Sequence, residues 1–444
     1  MKRNTENQTE SQMEGQIEKQ IEDQMEDQTE KQAEDQIEDQ IEDQIENTAQ
    51  NCTEKRIEPS KLRGLSLFAN VGIAEAYMEE LGVRIEVANE IDEERARFYQ
   101  EVYPHTHMVC GDITDDQLRE QIVREAKEKN VDFIIATPPC QGMSEAGLRL
   151  EFDARNQLVS YAVDVVKRVE PRFVLLENVP KQLTTKIRWG EEILLIPEYI
   201  KRELGKEYVF NSQTLVMAKD YGIPQLRERN IFLLVRKDVA AGGITWEFPA
   251  KQKEITLEEA IGHLPSLDPL LREGLEETKK RFPQYEEKMQ AGLMVSRWHY
   301  PPKHSWKQVE WMMHTPTGKS AIYNEVYYPQ KEGGVPVKAH HNHYRRLKWD
   351  MPCRTITQNN GVISSLACVH PGRPYQDVSG ETLYSDPRVL TIYELLIVMS
   401  LPLDWPIPDW AEETFIRRVF GEGIPSKLVR EIMKGLLDQL SEEE

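Results

Sequence analysis

Two kinds of hydrophobic pattern divide the chain. Over residues 16–47 a four-residue unit, Gln-Ile-Glu-Asp with variations, repeats with an apolar residue in the same slot. Four residues turn an α-helix by about 400°, so the apolar stripe drifts by about 40° per repeat and cannot stay against one straight partner. Glutamates also recur at i,i+4 spacing, which opposes an isolated helix. The pattern predicts a disordered or transiently helical arm over residues 1–58, in preference to an oligomerising helix.

After this arm, short apolar runs alternate with amphipathic stretches. Helices are predicted over 73–81, 390–400 and 415–440, the last with a break at 421–425. Strands that alternate with helices predict an α/β fold with a mostly parallel sheet. The apolar runs that are typical of buried strands lie at 64–69, 84–88, 131–136, 172–176 and 231–236.

The composition of the chain bears on the acidic arm, the number of domains and the cysteines. The net charge is −21, and residues 1–58 carry more than half of it, with 6 Lys and Arg against 18 Asp and Glu. A DNA-mimicking or self-inhibitory arm fits this charge, although a repeat-expanded tail without function is favoured. Residues 59–444 are long enough for about two domains. Five scattered cysteines without a CxxC pair predict neither zinc nor a disulfide framework, and they fit a reducing compartment.

Two further absences concern targeting. No run of about 18 apolar residues predicts a membrane-spanning helix, so no membrane partner is expected. The N-terminus lacks a basic start followed by an apolar stretch, so no signal peptide is expected.

Groups capable of binding and chemistry follow the predicted strands. Gly72 lies in a turn after the first strand, and Glu90 follows the second strand 18 positions later. A glycine there lets the backbone approach a ligand, and an acid about 20 residues later can bind ribose hydroxyls. Cys140 comes after the third strand, and Glu177 ends the fourth. Because ligands of open α/β sheets sit at the carboxyl ends of strands, these groups should meet at one edge.

Taken singly, these signals leave plainer readings open: an α/β unit without ligand, an inert buried cysteine and a structural acid. Nine short blocks in sequence order are more specific. The chain resembles the DNA (cytosine-5) methyltransferases, which use S-adenosylmethionine, over roughly residues 62–440. The blocks that carry the resemblance lie at 67–72, 89–92, 111–114, 139–144, 153–158, 177–179, 225–229, 354–357 and 421–428.

Four positions depart from the family pattern. Asn70 and Ile73 stand where the first block usually has glycine, and Ser66 stands where an acid is common. Glu422 stands where the last block usually has asparagine. These departures affect the cofactor contacts and leave the nucleophile and the acid untouched.

The resemblance implies a Rossmann-like S-adenosylmethionine methyltransferase domain with a mostly parallel sheet, plus a smaller target-recognition domain. Its expected parts are an acidic tail (1–58), a catalytic and cofactor-binding domain (59–240), a target-recognition domain (241–353) and a return to the catalytic domain with a C-terminal helix (354–444).

Residues 296–354 hold 10 Lys and Arg against 4 Asp and Glu, with six of the ten histidines and four of the eight tryptophans. Basic and aromatic residues interleaved in this way suit phosphate contact and base reading. His340, His341 and His343 lack acid or cysteine partners nearby, so a surface loop is favoured over a metal site, and no metal is predicted.

The chemistry of the family explains the catalytic residues that the resemblance implies. Cytosine C5 is a poor nucleophile until a thiolate adds to C6, and Cys140 is expected to make that attack. Glu177 is expected to protonate N3, while Arg227 and Arg229 orient the base through O2 or the adjoining phosphate. The target cytosine must flip out of the duplex to reach these groups.

The resemblance also implies two sets of binding residues. The cofactor is expected to contact Phe68, Ala69, Asn70, Val71, Gly72, Glu90, Ile91, Asp112, Ile113 and Pro139. DNA is expected to contact Gln141, Ser144, Gln225, Arg354 and Thr355.

The predicted function is methylation of cytosine at C5 in a specific duplex DNA sequence. The expected setting is a restriction-modification or related defence system in the bacterial cytoplasm, at the nucleoid, with a monomer acting on DNA and a restriction endonuclease acting separately. An RNA-directed relative with the same blocks is the second enzyme reading, against which the long insert at 230–353 argues. A catalytically dead DNA-binding homologue is the third, against which intact Cys140 and Glu177 argue.

Overall fold

The computed structural model describes residues 61–139, 154–331, 333–366 and 368–442, which lie within one unit, Ser60–Glu444. The predicted arm (1–58), Cys140, Gln141 and Ser144 lie outside the described residues. The strands in chain order are β1 (Leu62–Leu67), β2 (Val83–Glu90), β3 (His107–Cys110), β4 (Phe133–Ala136), β5 (Phe173–Asn178), β6 (Lys186–Trp189), β7 (Glu192–Leu195), β8 (Tyr208–Phe210), β9 (Leu215–Met217), β10 (Gln225–Leu226), β11 (Glu228–Arg236), β12 (Leu270–Leu271), β13 (Lys303–His304), β14 (Cys353–Arg354), β15 (Pro374–Gln376) and β16 (Thr382–Tyr384).

Eight of these strands form the central sheet. Its order is β3–β2–β1–β4–β5–β11–β8, with β9 also paired to β11. The first five strands in this order run parallel, and β11 runs antiparallel to β5, β8 and β9. The chain moves in opposite directions from β1 to β2 and to β4, which opens a crevice at the carboxyl ends of these strands. The predicted α/β class with a mostly parallel sheet is confirmed.

Most predicted strands and helices match the structure closely. Each of the five predicted strands overlaps β1, β2, β4, β5 or β11, and the helices predicted near the C-terminus are found at Ile392–Met399, Glu413–Glu422 and Ser426–Glu442. The predicted break falls between Glu422 and Ser426. The helices in chain order are α1 (Glu93–Val102), α2 (Asp116–Glu128), α3 (Leu158–Val169), α4 (Ile196–Leu204), α5 (Lys237–Ala241), α6 (Leu257–Ile261), α7 (Leu275–Arg281), α8 (Tyr285–Val295), α9 (Trp306–Met313), α10 (Ile392–Met399), α11 (Glu413–Glu422) and α12 (Ser426–Glu442).

The helix predicted over 73–81 is wrong, because this segment forms a series of turns. The N–H groups of Ala76 and Met78 bond to carbonyls three residues back, where a regular α-helix would use the fourth. Glu75 is buried and accepts a hydrogen bond from the Ser66 hydroxyl of β1. This contact with the sheet, which a periodic pattern cannot reveal, holds the segment in the tighter form.

Helices cover both faces of the sheet. Apolar residues of α2, α3 and α4 pack on one face, and the apolar stripe of α12 packs on the other. Trp246 lies beside α12, and its Nε1 donates to the Ile432 carbonyl at 3.1 Å. The C-terminal helix therefore returns to the sheet, as the resemblance implied. Among the described residues, no helix is both long enough and apolar enough to cross a bilayer.

A smaller set of elements follows β11. One hydrophobic cluster gathers residues around α7, α8 and α9, including Leu271, Phe282 and Val309. A second cluster joins Trp311 and Tyr344 to residues 363–389. The packing of the predicted recognition segment thus continues into the chain that follows residue 353.

A buried polar cluster supports this region. Arg388 is fully buried and pairs with Asp386 at 2.9 Å and with Glu394 at 2.8 Å. Burial opposes the ionisation of Glu394, but the Arg388 guanidinium outweighs it and lowers the pKa of Glu394 to about 2. His370 lies 3.7 Å from Glu394, and its Nδ1 accepts the N–H of Gly372 at 3.1 Å, which requires that nitrogen to be unprotonated. Burial lowers the pKa of His370 to about 4.

We expect the folded state to lose stability as the pH falls from 7 to 4. An unfolded chain takes up a proton at His370 near pH 6.5, whereas the folded chain resists protonation down to about pH 4. Glu394 adds a loss in the same direction below about pH 4.5, because its folded pKa is the lower one. Thermal melts across this range should show a smaller slope for His370→Asn, which keeps an acceptor for Gly372. The exposed His263→Asn is the control, and an unchanged slope for His370→Asn would contradict the assignment.

Candidate active site at the carboxyl edge of the sheet

The loop after β1 has an unusual backbone. Phe68, Asn70 and Gly72 all adopt left-handed conformations, with φ of 59°, 51° and 81°. A side chain on Gly72 would overlap the ring of Tyr103, whose hydroxyl donates to the Gly72 carbonyl at 2.6 Å. The other two residues pay about 1 kcal/mol each for a conformation that glycine adopts freely. The loop therefore keeps a strained shape at the carboxyl end of β1.

Glu90, at the end of β2, organises this loop. Its carboxylate accepts the N–H groups of Asn70 at 2.9 Å, Ile91 at 3.0 Å and Asp92 at 3.1 Å. Burial raises the pKa of Glu90. Ile91 beside it is 62% exposed, which leaves an apolar surface next to the carboxylate.

The other predicted cofactor residues lie at the same edge. Ala69 donates its N–H to the Asn89 carbonyl, and Gly111 donates to the Glu90 carbonyl, both at 2.9 Å. The Asn89 amide also bonds the carbonyls of Val109 and Gly111, which ties the second block to the third. In the third block Asp112 is exposed. Val71 and Ile113 are buried beneath this edge.

Two side chains hold the start of the loop that leads to Cys140. Thr137 Oγ1 donates to the Phe68 carbonyl at 3.1 Å, which links this loop to the first block. Asn178 Nδ2 donates to the Pro138 carbonyl at 3.0 Å, which links it to the acid block. The sequence interpretation assigned no role to Asn178, although its place beside Glu177 was a signal. Pro139 is half-buried at the last described position before Cys140.

Glu177 and Arg229 form a close pair. Arg229 Nε lies 2.6 Å from Glu177 Oε1, and the two side chains are 8% and 10% exposed. The antiparallel pairing of β5 with β11 brings them together, since Glu177 lies opposite Ile231 in the register. Arg229 Nη1 also donates to the Glu228 carbonyl at 2.9 Å. The predicted acid and one predicted base-orienting arginine thus share one site.

Gln225 and Arg227 have a different environment, because both are buried in the protein interior. Arg227 donates to the carbonyls of Ile356 at 2.7 Å and Gly421 at 3.0 Å, and Gln225 donates to the Val398 carbonyl at 3.1 Å. Their side chains therefore join three distant segments. These positions do not suit the direct contacts with DNA or base that were predicted for them.

Arg354 and Thr355 remain at the surface. Both are exposed, and β14 pairs in parallel with β10, which sets Arg354 beside Leu226. Thr355 Oγ1 donates to the Leu226 carbonyl at 2.6 Å. Both residues therefore stay accessible to a large partner.

We expect Gly421→Ala to destabilise the protein by about 1–3 kcal/mol. A Cβ at this position would overlap the carbonyl group of Thr357 and the N–H of Gln358, which are backbone atoms that cannot turn aside. Gly435→Ala in α12 is the matched control, since nothing lies within 4 Å of its added Cβ. That control should gain up to about 1 kcal/mol from helix propensity. Equal melting temperatures for the two variants would contradict the close approach.

A basic cavity lies in the predicted recognition segment. Its volume is about 500 Å³, and its lining includes Lys319, Arg345, Lys348 and Trp349. Its lining also includes Asp350, so three cationic side chains against one carboxylate leave a net positive charge that suits an anionic partner. No group of three or more potential metal ligands occurs among the residues that the structure describes.

Comparison with known proteins identifies the family of the chain that carries this site. The family model for C-5 cytosine-specific DNA methylases matches residues 62–438. The chain belongs to this family. The enzyme class predicted from the sequence, DNA (cytosine-5) methyltransferase, is thereby confirmed.

Individual relatives agree with this family. The chain is 40% identical to the Type II methyltransferase M1.HgaI of Avibacterium volantium over 85% of this chain and 99% of that protein. It is 27% identical to the Type II methyltransferase M.Eco47II of Escherichia coli over 79% of this chain and 73% of that protein. A solved structure from Escherichia coli, described as a prophage-encoded DNA modification methyltransferase, covers 86% of this chain and 100% of its own, with a TM-score of 0.58 and 22% identity. That structure shares the fold.

Proposed function

We propose that this methyltransferase transfers a methyl group from S-adenosylmethionine to C5 of cytosine in a specific duplex DNA sequence. The cytosine flips out of the duplex, and Cys140 forms a transient bond to C6. The observation that carries the proposal is the buried Glu177–Arg229 pair at the strand edge that also holds the 68–72 loop and leads to Cys140.

The residues of the first and second blocks fit the cofactor. Asn70 Oδ1 is buried and finds no hydrogen-bond partner among the described residues, so a ligand donor can satisfy it. Glu90 Oε2 accepts a single N–H, which leaves it able to accept a ribose hydroxyl. The exposed Ile91 offers an apolar contact for a planar base. The cofactor supplies an electrophilic methyl group on a sulfonium.

The chain's own groups then account for the chemistry at cytosine. The Cys140 thiolate adds to C6, and Glu177 supplies a proton to N3 as electron density moves into the ring. C5 becomes enamine-like and takes the methyl group. A water molecule from solvent then takes the C5 proton, the electrons of that C–H bond expel the Cys140 thiolate from C6, and N3 returns its proton to Glu177, which restores the aromatic ring. Arg229 orients Glu177 and presents its planar guanidinium to the O2 side of the base.

Gln225 and Arg227 have a positioning role in this proposal. Their bonds to the carbonyls of Val398, Ile356 and Gly421 hold the return segment against the strand that carries Arg229. Removal of a buried guanidinium leaves the backbone carbonyls that it bonds without a donor, which is costly. Loss of the Arg227 or Gln225 side chain would therefore displace the segments that support the site.

DNA contact is assigned to the basic surface and to the loops around the site. The cavity lined by Lys319, Arg345 and Lys348 would bind backbone phosphates, and the exposed Arg354 and Thr355 would contact the strand near the flipped base. Gln141 and Ser144 keep their predicted DNA contacts. The domain limits predicted from the sequence, with recognition over 241–353, belong to this proposal as well.

The biological setting follows from the relatives. Two are named Type II methyltransferases, so we assign this chain to a restriction-modification system. The enzyme would act as a monomer on DNA in the bacterial cytoplasm, at the nucleoid, with a restriction endonuclease acting separately.

Bisulfite sequencing of DNA from cells that express the protein tests this proposal, because it reports the modified base and the target sequence together. Protected cytosines in one recurring sequence are expected. A parallel assay with duplex DNA and tRNA separates the alternatives, since activity confined to tRNA would end the DNA proposal. Absence of S-adenosylmethionine binding in calorimetry would instead favour a catalytically dead homologue.

A further inference from the structure

The carboxylate of Glu422, the last residue of α11, connects four segments that are distant in sequence. Arg95 of α1 donates a hydrogen bond to it at 3.2 Å and forms an ion pair with it at 2.8 Å, and Gln358 donates at 2.7 Å. Asn70 Nδ2 also donates to Glu422 Oε2, at 3.4 Å. Arg95 and Gln358 make the shorter contacts, so they fix the carboxylate in the place where the Asn70 amide meets it.

Asn70 is the residue in this group whose backbone needs support. Its φ of 51° is left-handed, a conformation that costs about 1 kcal/mol for a residue with a Cβ. Glu90 holds its N–H at 2.9 Å, and Glu422 holds its side chain. A strained conformation persists where its surroundings determine it, and two carboxylates do so here from opposite ends of the residue.

A second contact joins the same two segments. An added Cβ on Gly423 would lie 2.7 Å from Cδ1 of Ile73, so Ile73 already packs closely on that glycine. Asn70, Ile73 and Glu422 are three of the four departures from the family pattern noted above. All three lie at this single contact between the first block and the last.

We propose that Asn70 and Glu422 act as a coupled positioning pair that holds the 68–72 loop in the shape that receives the cofactor. This inference rests on the proposed binding of S-adenosylmethionine by that loop. The pair acts on the loop and not on the reacting atoms, so its loss lowers cofactor affinity more than it lowers the rate at saturating cofactor. Preorganisation of a binding loop raises affinity in this way because less ordering remains for the ligand.

An exchange of donor and acceptor tests the pair. Asn70→Asp sets two carboxylates against each other, and we expect the dissociation constant for S-adenosylmethionine to rise about tenfold. Glu422→Gln removes the charge that Arg95 holds, and we expect a rise of about fivefold. The double variant carries the carboxylate on residue 70 and the amide on residue 422 at the same net charge. Its dissociation constant should return to within about twofold of the wild-type value.

Calorimetry measures these constants for S-adenosylmethionine and for S-adenosylhomocysteine, which lacks the methyl group. Both ligands should weaken by the same factor, because the pair shapes the loop and does not read the sulfonium. In each variant the KM for cofactor should follow the dissociation constant, and turnover at saturating cofactor should change less than the KM does.

Glu94→Gln is the matched control. Glu94 pairs with Arg418 at 3.6 Å and so also links α1 to α11, but both side chains are about half exposed. Surface pairs of this kind contribute little, so cofactor affinity should not change. Thermal melts verify that each variant folds. If Glu422→Gln unfolds, the expected tenfold rise in the dissociation constant of Asn70→Asp tests the pair by itself.

Losses that simply add in the double variant would overturn this inference, as would lower melting temperatures with unchanged cofactor affinity. In both cases a wild-type chain that binds and methylates would leave the proposed function intact. A wild-type chain that binds no S-adenosylmethionine would overturn the proposed function and the role of the pair together.

Discussion

Cys140→Ser is expected to abolish methyl transfer and to leave sequence-specific DNA binding intact. A serine hydroxyl is a weak nucleophile at neutral pH without a base to activate it, so addition to C6 should fail. We expect a loss on the order of 10⁴-fold or more in turnover. Transfer of a labelled methyl group to duplex DNA measures the first effect, and gel-shift titration with the same duplex measures the second.

Cys110→Ser is the control for this experiment. Cys110 is exposed, but desolvation and the neighbouring Glu93 raise the pKa of its thiol, so little thiolate is present. A duplex with 5-fluorocytosine at the target adds a direct assay, because fluorine cannot leave C5 as the proton does. Mass spectrometry should then find the adduct on Cys140. Normal turnover in Cys140→Ser would refute the assigned nucleophile.

Glu177→Gln is expected to lower kcat by about 10²–10⁴-fold with a smaller change in the KM for DNA. Glutamine keeps the shape of the side chain beside Arg229, but its amide N–H is too weak an acid to protonate N3 of cytosine. The folded structure should therefore survive while the chemical step slows. Single-turnover methylation at saturating DNA and cofactor isolates that step from binding and release.

Glu228→Gln on the same strand as Arg229 is the matched control for this change. Its side chain is exposed, and only its backbone carbonyl contacts Arg229, so kcat should be unchanged. If Glu177→Gln kept turnover within twofold of wild type, the carboxyl group would be a structural partner of Arg229. Another group would then have to protonate the ring.

Local patterns in the sequence were enough to place much of the fold. A continuous apolar run marks a strand that is buried on both faces, which is why β1, β4 and β5 could be predicted from short segments. The segment at 73–81 shows where this reasoning fails, since a buried contact between Glu75 and Ser66 replaced the expected helix with turns.

The active site likewise combines residues that the sequence identified with contacts that only the structure shows. Motif order identified Glu177 and Arg229, but residue type alone did not distinguish Arg229 from Arg227. The structure does, because Arg229 pairs with Glu177 while Arg227 is buried among backbone carbonyls. Arg229 belongs to β11, which pairs with β5, whereas Arg227 lies between β10 and β11, so the pairing of distant strands decides which arginine reaches Glu177.

By itself, the sequence determined the fold class, the family and the set of residues that can perform the chemistry. The tertiary structure alone decided which of those side chains meet, such as Asn70 with Glu422 and Gln225 with the carbonyl of Val398. The reason is physical: secondary structure follows from periodicity within about ten residues, whereas these contacts depend on strand order and on helices that pack from the far end of the chain.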